Sequence, residues 1–196
     1  MLEAALAPRL KELNEIIRRD LPRTIEQLGV AAAVRFARQQ LRIPDTAQIV
    51  LHGKRVPDVI YVDKATGRVT VIEAKGGEAT LGVRLSINET QLVQQGTYKY
   101  LESLAQAMQQ SGDDRLIELG KALALALRRP DPNEPTKPNV GYYLVRQPFV
   151  DPPPAAPAPT SPPPLTASLA PPRVATFDIR LDDRDRDPTH APRTRP

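Results

Sequence analysis

Two carboxylates and an amine stand at the ends of adjoining apolar runs in the segment PDVIYVDKATGRVTVIEAKGG, residues 57–77. Asp58 opens the first run, and Glu73 and Lys75 close the second. If Lys64 to Gly67 form a four-residue loop between antiparallel strands, then Asp63 lies opposite Arg68, Val62 opposite Val69, Ile60 opposite Val71 and Asp58 opposite Glu73. Side chains alternate along a strand, so Glu73 and Lys75 share the face of Val69 and Val71. A slip of one residue would turn the whole apolar set to the other face, which favours this register. Like charges directly opposite one another are destabilising, so two facing carboxylates call for an added proton, a nearby lysine or a bound cation. Mg2+ is held by one or two carboxylates plus water, and Lys75 lies one same-face position beyond Glu73. The segment therefore reads as half of a metal cage. The plainer reading makes Asp58 a strand cap, and Glu73 with Lys75 a solvated salt pair at a strand end.

The flanking patterns supply the elements that must carry this hairpin. Leu2, Leu6, Leu10, Leu13 and Ile17 recur at helical spacing, which predicts an amphipathic helix over 1–21 rather than a signal peptide. A second helix is expected to open near Pro22 and run to Leu41, with Pro44 and Asp45 ending it. Strands are predicted over 48–52, 58–63 and 68–75, and Gly76 and Gly77 open a loop to about Ile87. A long helix is predicted from Asn88 as N-cap, with Val93, Leu101, Leu104 and Met108 on its buried side and Gln91, Gln95, Lys99 and Glu102 on its polar side. Gly96 in mid-helix would mark close packing near the site. A further helix spans 114–129 and a last strand 140–150. The order α, α, β, β, β, α, α, β gives an α/β domain over 22–150, a mixed sheet flanked by helices. Residues 151–196 begin with a proline-rich run that cannot build a core or a ladder, and are expected to be disordered or polyproline-like. Within them TFDIRLDD alternates Phe177, Ile179 and Leu181 with charges, the pattern of a short strand over 176–181 that docks on a sheet edge or a partner. The alternative is a solvated tail.

Composition narrows the chemistry. Without cysteine there are no disulfides, thiolate sites or cysteine nucleophile, and His52 and His190 are too few for a histidine-rich zinc site. Chemistry must rest on carboxylates, lysines, hydroxyls or a hard metal. No apolar run approaches a membrane span. Of the net charge of +4, none comes from residues 151–196, which balance six arginines with six aspartates. The excess lies in residues 1–150 and is compatible with a polyanionic partner. Arg35, Arg38 and Arg42 stack along one helix face, most simply a solvated one. Lys54, Arg55, Arg84 and Lys99 flank the acids and are better placed to position a phosphate backbone. Aromatics at 4% do not suggest a base-stacking platform.

Pro57-Asp58, a strand, a turn and then Glu73-Ala74-Lys75 resembles the PD-(D/E)xK nuclease superfamily, with its restriction-endonuclease-like fold. VIEAKGG followed by QLVQQGTYKYLESL is similar to the restriction-endonuclease-fold toxin domains of bacterial polymorphic toxins and secreted effectors. The likeness covers roughly residues 26–145. It implies a Mg2+- or Mn2+-dependent endonuclease in which Asp58, Glu73 and the main-chain carbonyl of Ala74 bind the metal. Lys75 would orient water and stabilise transition-state charge, and Gln95 on the following helix would support the site. Glu26 would be the acid of the first core helix, at imperfect spacing from the family pattern. DNA is the expected substrate, with RNA as the alternative, and the products would carry a 5′-phosphate and a 3′-hydroxyl. For a toxin the resemblance adds a cognate immunity or inhibitor protein as partner. The site of action would be the cytoplasm, of its own cell or of a target cell. Two other readings stay open: a non-catalytic nucleic-acid-binding or assembly module on the same fold, and a DNA repair or junction-resolving nuclease.

Overall fold

A computed structural model describes residues 2–53, 56–76, 83–85, 92–148 and 169–185, with the backbone alone for 2–19, 83–85 and 184–185. The described chain is an α/β protein with three helices and a five-strand mixed sheet. Helix α1 spans Leu2–Gln39, followed by β1 (Ile49–Val50), β2 (Val59–Val62) and β3 (Val69–Gly76). Strands β4 (Val83–Leu85) and β5 (Leu92–Gln94) form a separate hairpin. Helices α2 (Tyr98–Gln109) and α3 (Asp114–Arg128) lead to β6 (Val140–Gln147) and β7 (Arg173–Thr176).

The sheet runs β1-β2-β3-β6-β7. Among the described residues only the β3–β6 pairing is parallel. A parallel neighbour needs a crossover, which α2 and α3 provide. Each face of the sheet buries its own apolar set. Val59, Ile72 and Val145 meet Ala32, Ala33 and Ala37 of α1. Ile60, Val69, Val71, Tyr142 and Leu144 meet Leu101, Leu104 and Met108 of α2 and Leu123 and Leu127 of α3. Burying each large side chain stabilises by roughly 1.5–3 kcal/mol, and the period-two switch between faces fixes the register. Thr97 caps α2 by accepting from the Tyr100 N–H, and Asp113 caps α3 by accepting from Arg115 and Leu116.

The helix break at Pro22 is absent, and one helix runs through it. Pro22 lacks an N–H to donate, and the helix passes it where residues 20–24 are exposed. The helix expected from Asn88 does not cover 92–97: 92–94 are strand β5, Gly96 takes φ +91°, and α2 starts only at Tyr98. The i, i+4 spacing of Gln91, Gln95 and Lys99 imitated a helix face, while the left-handed glycine and the threonine cap set the true start. Arg42 also leaves its expected helix face, because it lies past the end of α1 with φ +59°, and Arg38 pairs with Asp45 at 3.1 Å.

The strand expected over 176–181 lies at 173–176, paired antiparallel to β6 with Val174 opposite Val145. Phe177 and Ile179 are buried as the alternation required. Polar contacts pin the segment: the Gln147 side-chain amide donates to the Ala170 carbonyl (2.6 Å), Lys137 pairs with Asp178 (3.0 Å), and the Leu181 N–H donates to the Thr136 carbonyl (3.0 Å). The proline-rich run of 151–168 lies outside the described residues. No helix among the described residues is long and apolar enough to cross a membrane.

Two part-buried aspartates give this scaffold a pH dependence. Burial pushes the Asp131 carboxyl up, but the Asn133 N–H and the Arg68 guanidinium outweigh it and hold the group below its usual 3.8. Burial acts likewise on Asp178, where Lys137 and Arg180 win. Carboxyls lowered in the fold contribute stability that is complete above the unfolded value and lost as pH falls through the folded one. The urea midpoint is therefore expected to be flat from pH 7 to about 5 and to fall below about pH 4. Asp131→Asn should flatten that acid limb, and an unchanged limb would contradict the assignment.

Candidate functional site

The β2–β3 hairpin places the acids. Val62 pairs with Val69, Ile60 with Val71 and Val59 with Ile72, so the register continued by one step sets Asp58 across from Glu73. The turn is closed by the Asp63 N–H donating to the Arg68 carbonyl (2.8 Å), with Gly67 in the left-handed region at φ +69°. Alternation puts Asp58 and Glu73 on the face of Ile60 and Val71, toward α2.

Glu73 is 1% exposed. Its Oε1 accepts a hydrogen bond from the Tyr100 hydroxyl at 2.7 Å, and the Gln95 side-chain N–H reaches that hydroxyl at 3.4 Å. Carboxylates are rarely buried this deeply unless they are paired or coordinate a metal. Asp58 is half-buried, and its Oδ2 accepts from the Ala74 N–H at 2.6 Å. Strand β2 has ended at this level, so the carboxylate takes the place of the missing ladder partner. Within an antiparallel pair the N–H and C=O of one residue face the same neighbour, so the Ala74 carbonyl lies on the Asp58 edge too. Two carboxylates and a main-chain carbonyl form a hard oxygen set that fits Mg2+ or Mn2+.

Lys75 is half-buried and follows Glu73 on the same face. The backbone beneath it is held by α1: a Cβ on Gly29 would lie 2.9 Å from the Gly76 nitrogen, and one on Gly76 only 2.2 Å from the Ile25 carbonyl oxygen. This contact explains both glycines. Gly76→Ala is expected to destabilise by about 1–3 kcal/mol, read as a lower urea midpoint, because the obstacle is backbone and cannot rotate away. Gly76 is not in the left-handed region, so the expected loss is steric alone.

The other expected site residues divide. Gln95 joins the acids, but from the turn between β5 and α2 and in a buried position, not from a polar helix face. Glu26 is exposed on α1, and among the described residues no three His, Cys, Asp or Glu side chains come together. It does not join Asp58 and Glu73 in a three-acid cluster. Lys99 lies in the first turn of α2 and pairs with Glu102 at 3.4 Å. A half-exposed pair of this kind contributes about 0–1 kcal/mol. Arg84 belongs to β4, where its backbone pairs with Val93. Lys54 and Arg55 lie outside the described residues. Tyr100 is a site neighbour that the sequence marks only by its third place after the Thr97 cap. A cavity of about 380 Å³ between α2 and α3, lined by Tyr98, Glu102, Lys121 and Arg128 among others, includes none of the hairpin acids.

Comparisons of the chain with protein-family models, with curated proteins and with solved structures find no match.

Proposed function

We propose that the protein is a metal-dependent endonuclease of the PD-(D/E)xK kind, with the restriction-endonuclease-like fold, acting on DNA in preference to RNA. The observation that carries this reading is the buried Glu73 on the central strand, with Asp58 bonded to the next residue's N–H and Lys75 on the same face. A mixed sheet with helices on both sides, and a parallel β3–β6 pair, supports it further. Asp58, Glu73 and the Ala74 carbonyl would hold Mg2+ or Mn2+, which when bound supplies Lewis-acid activation of water and neutralisation of phosphate charge.

The chain's own groups do the rest. Lys75 lies one same-face position beyond Glu73 and would face a bound phosphate. Its ammonium then stabilises the charge that develops on the phosphoryl oxygens. Lys99, Arg84, Lys54 and Arg55 are the cations proposed to track the backbone. The likeness of residues 26–145 to toxin domains extends the proposal to a bacterial toxin or effector working in a cytoplasm, with an immunity protein as inhibitor.

Asp58 favours one competing reading, since a carboxylate on a strand-end N–H is also what a plain structural cap does. A non-catalytic nucleic-acid-binding module would keep that bond and cut nothing. Incubation of supercoiled plasmid with the protein in Mg2+ and in EDTA separates the two. Nicking that requires Mg2+ is expected, whereas DNA that is bound but intact would move the assignment to the binding module.

A further inference from the structure

Helix α2 opens against the metal-binding acids. The Thr97 cap fixes its first turn, and that turn carries Tyr100 inward. The Tyr100 ring is buried and stacks on Tyr142, with centroids 6.1 Å apart and planes at 26°, so its hydroxyl has little lateral freedom. A phenol carries one proton. Donated to Glu73 Oε1 at 2.7 Å, that proton leaves the oxygen as acceptor toward Gln95, whose side-chain N–H stands 3.4 Å away. The chain thus has a direction, from amide to hydroxyl to carboxylate.

We infer that Tyr100, oriented by Gln95, is a positioning residue that holds the Glu73 carboxylate in the orientation in which it receives the divalent cation. The inference rests on the nuclease reading. Metal-ligating carboxylates are themselves hydrogen-bonded, and loss of such an outer partner weakens metal affinity by about 10- to 100-fold. Gln95 acts one step further out and across a longer contact, so its removal should weaken affinity less and in the same direction.

The test is calorimetric titration of the full chain with Mn2+, together with kinetics on a duplex oligonucleotide. Tyr100→Phe keeps the stacked ring and removes only the hydroxyl. It is expected to raise the Mn2+ Kd by about 10- to 100-fold and to lower kcat at saturating duplex while KM for the duplex stays within about twofold. A merely structural tyrosine would lower the Tm of the metal-free protein and leave the Mn2+ Kd of the folded protein where it was. That result would overturn the inference and leave the nuclease reading standing. If Tyr100→Phe does not fold, Gln95→Met decides: a weaker Kd supports the relay and an unchanged one overturns it. Failure of the wild-type protein to bind Mn2+ would remove the nuclease reading, and the inference with it.

Discussion

Glu73→Gln is expected to abolish Mg2+-dependent cleavage while leaving the fold intact. The amide is nearly the same shape as the carboxylate, and its oxygen can still accept from the Tyr100 hydroxyl, so the buried partner is not orphaned. What disappears is the negative charge that would hold the cation. Lys75→Ala removes the ammonium aimed at developing phosphate charge, a loss of about 10²- to 10³-fold in kcat, equivalent to about 2.7–4 kcal/mol, and Glu73→Gln should lose at least as much. Plasmid nicking followed over time, with urea unfolding of each variant as control, checks both. Wild-type rates in either variant, at unchanged stability, would sink the assignment of the hairpin as the reacting centre.

Phe177→Ala should cost about 3–5 kcal/mol of folding free energy. Phe177 is 4% exposed, packs on the Tyr142 ring with centroids 5.0 Å apart, and donates its N–H to the Tyr142 carbonyl at 3.0 Å. It sits in the same apolar cluster as Leu101, Leu104 and Val71, two residues along β3 from Glu73. The loss is therefore from the core itself, although Phe177 follows a long proline-rich run. Urea denaturation of the full chain measures it, and Ile179→Ala, at about 2–5 kcal/mol, repeats the test one alternation later. A change under about 1 kcal/mol, the scale of an ordinary surface substitution, would mean that residues 173–179 do not dock in solution.

The hairpin was legible because two independent patterns agree on it. Alternating valines and isoleucines set the faces, and a four-residue loop set the register, so Ile60 against Val71 and Val62 against Val69 could be read from the sequence. The body of α2 was legible from Leu101, Leu104 and Met108 at helical spacing, though not its start, and α3 was legible over its length. The β4–β5 hairpin was not, because its strands are three residues each and lack an alternating run long enough to register. Of the site, Glu73 and Lys75 followed from strand parity. The bond from Tyr100 to Glu73 joins residues 27 positions apart, and local spacing carries no information about such a contact. Val174 and Thr176 follow the proline-rich run, and pairing with Tyr143 and Val145 is decided by the tertiary edge available to them, which overrides composition.

The parallel pairing of β3 with β6 bears on when the proposed site forms. Val69 finds Val140, and Gly76 finds Gln147, across roughly 70 residues of intervening chain. Non-local pairings of this kind incur loop-closure entropy before they return any stability, so this pairing is among the slower steps of folding. A nascent chain that has emerged only as far as Gly76 already holds every group of the acid–lysine hairpin, yet lacks both β6 and the helix bearing Tyr100. The proposed site is therefore completed late in synthesis, when the second half of the sheet closes around the hairpin.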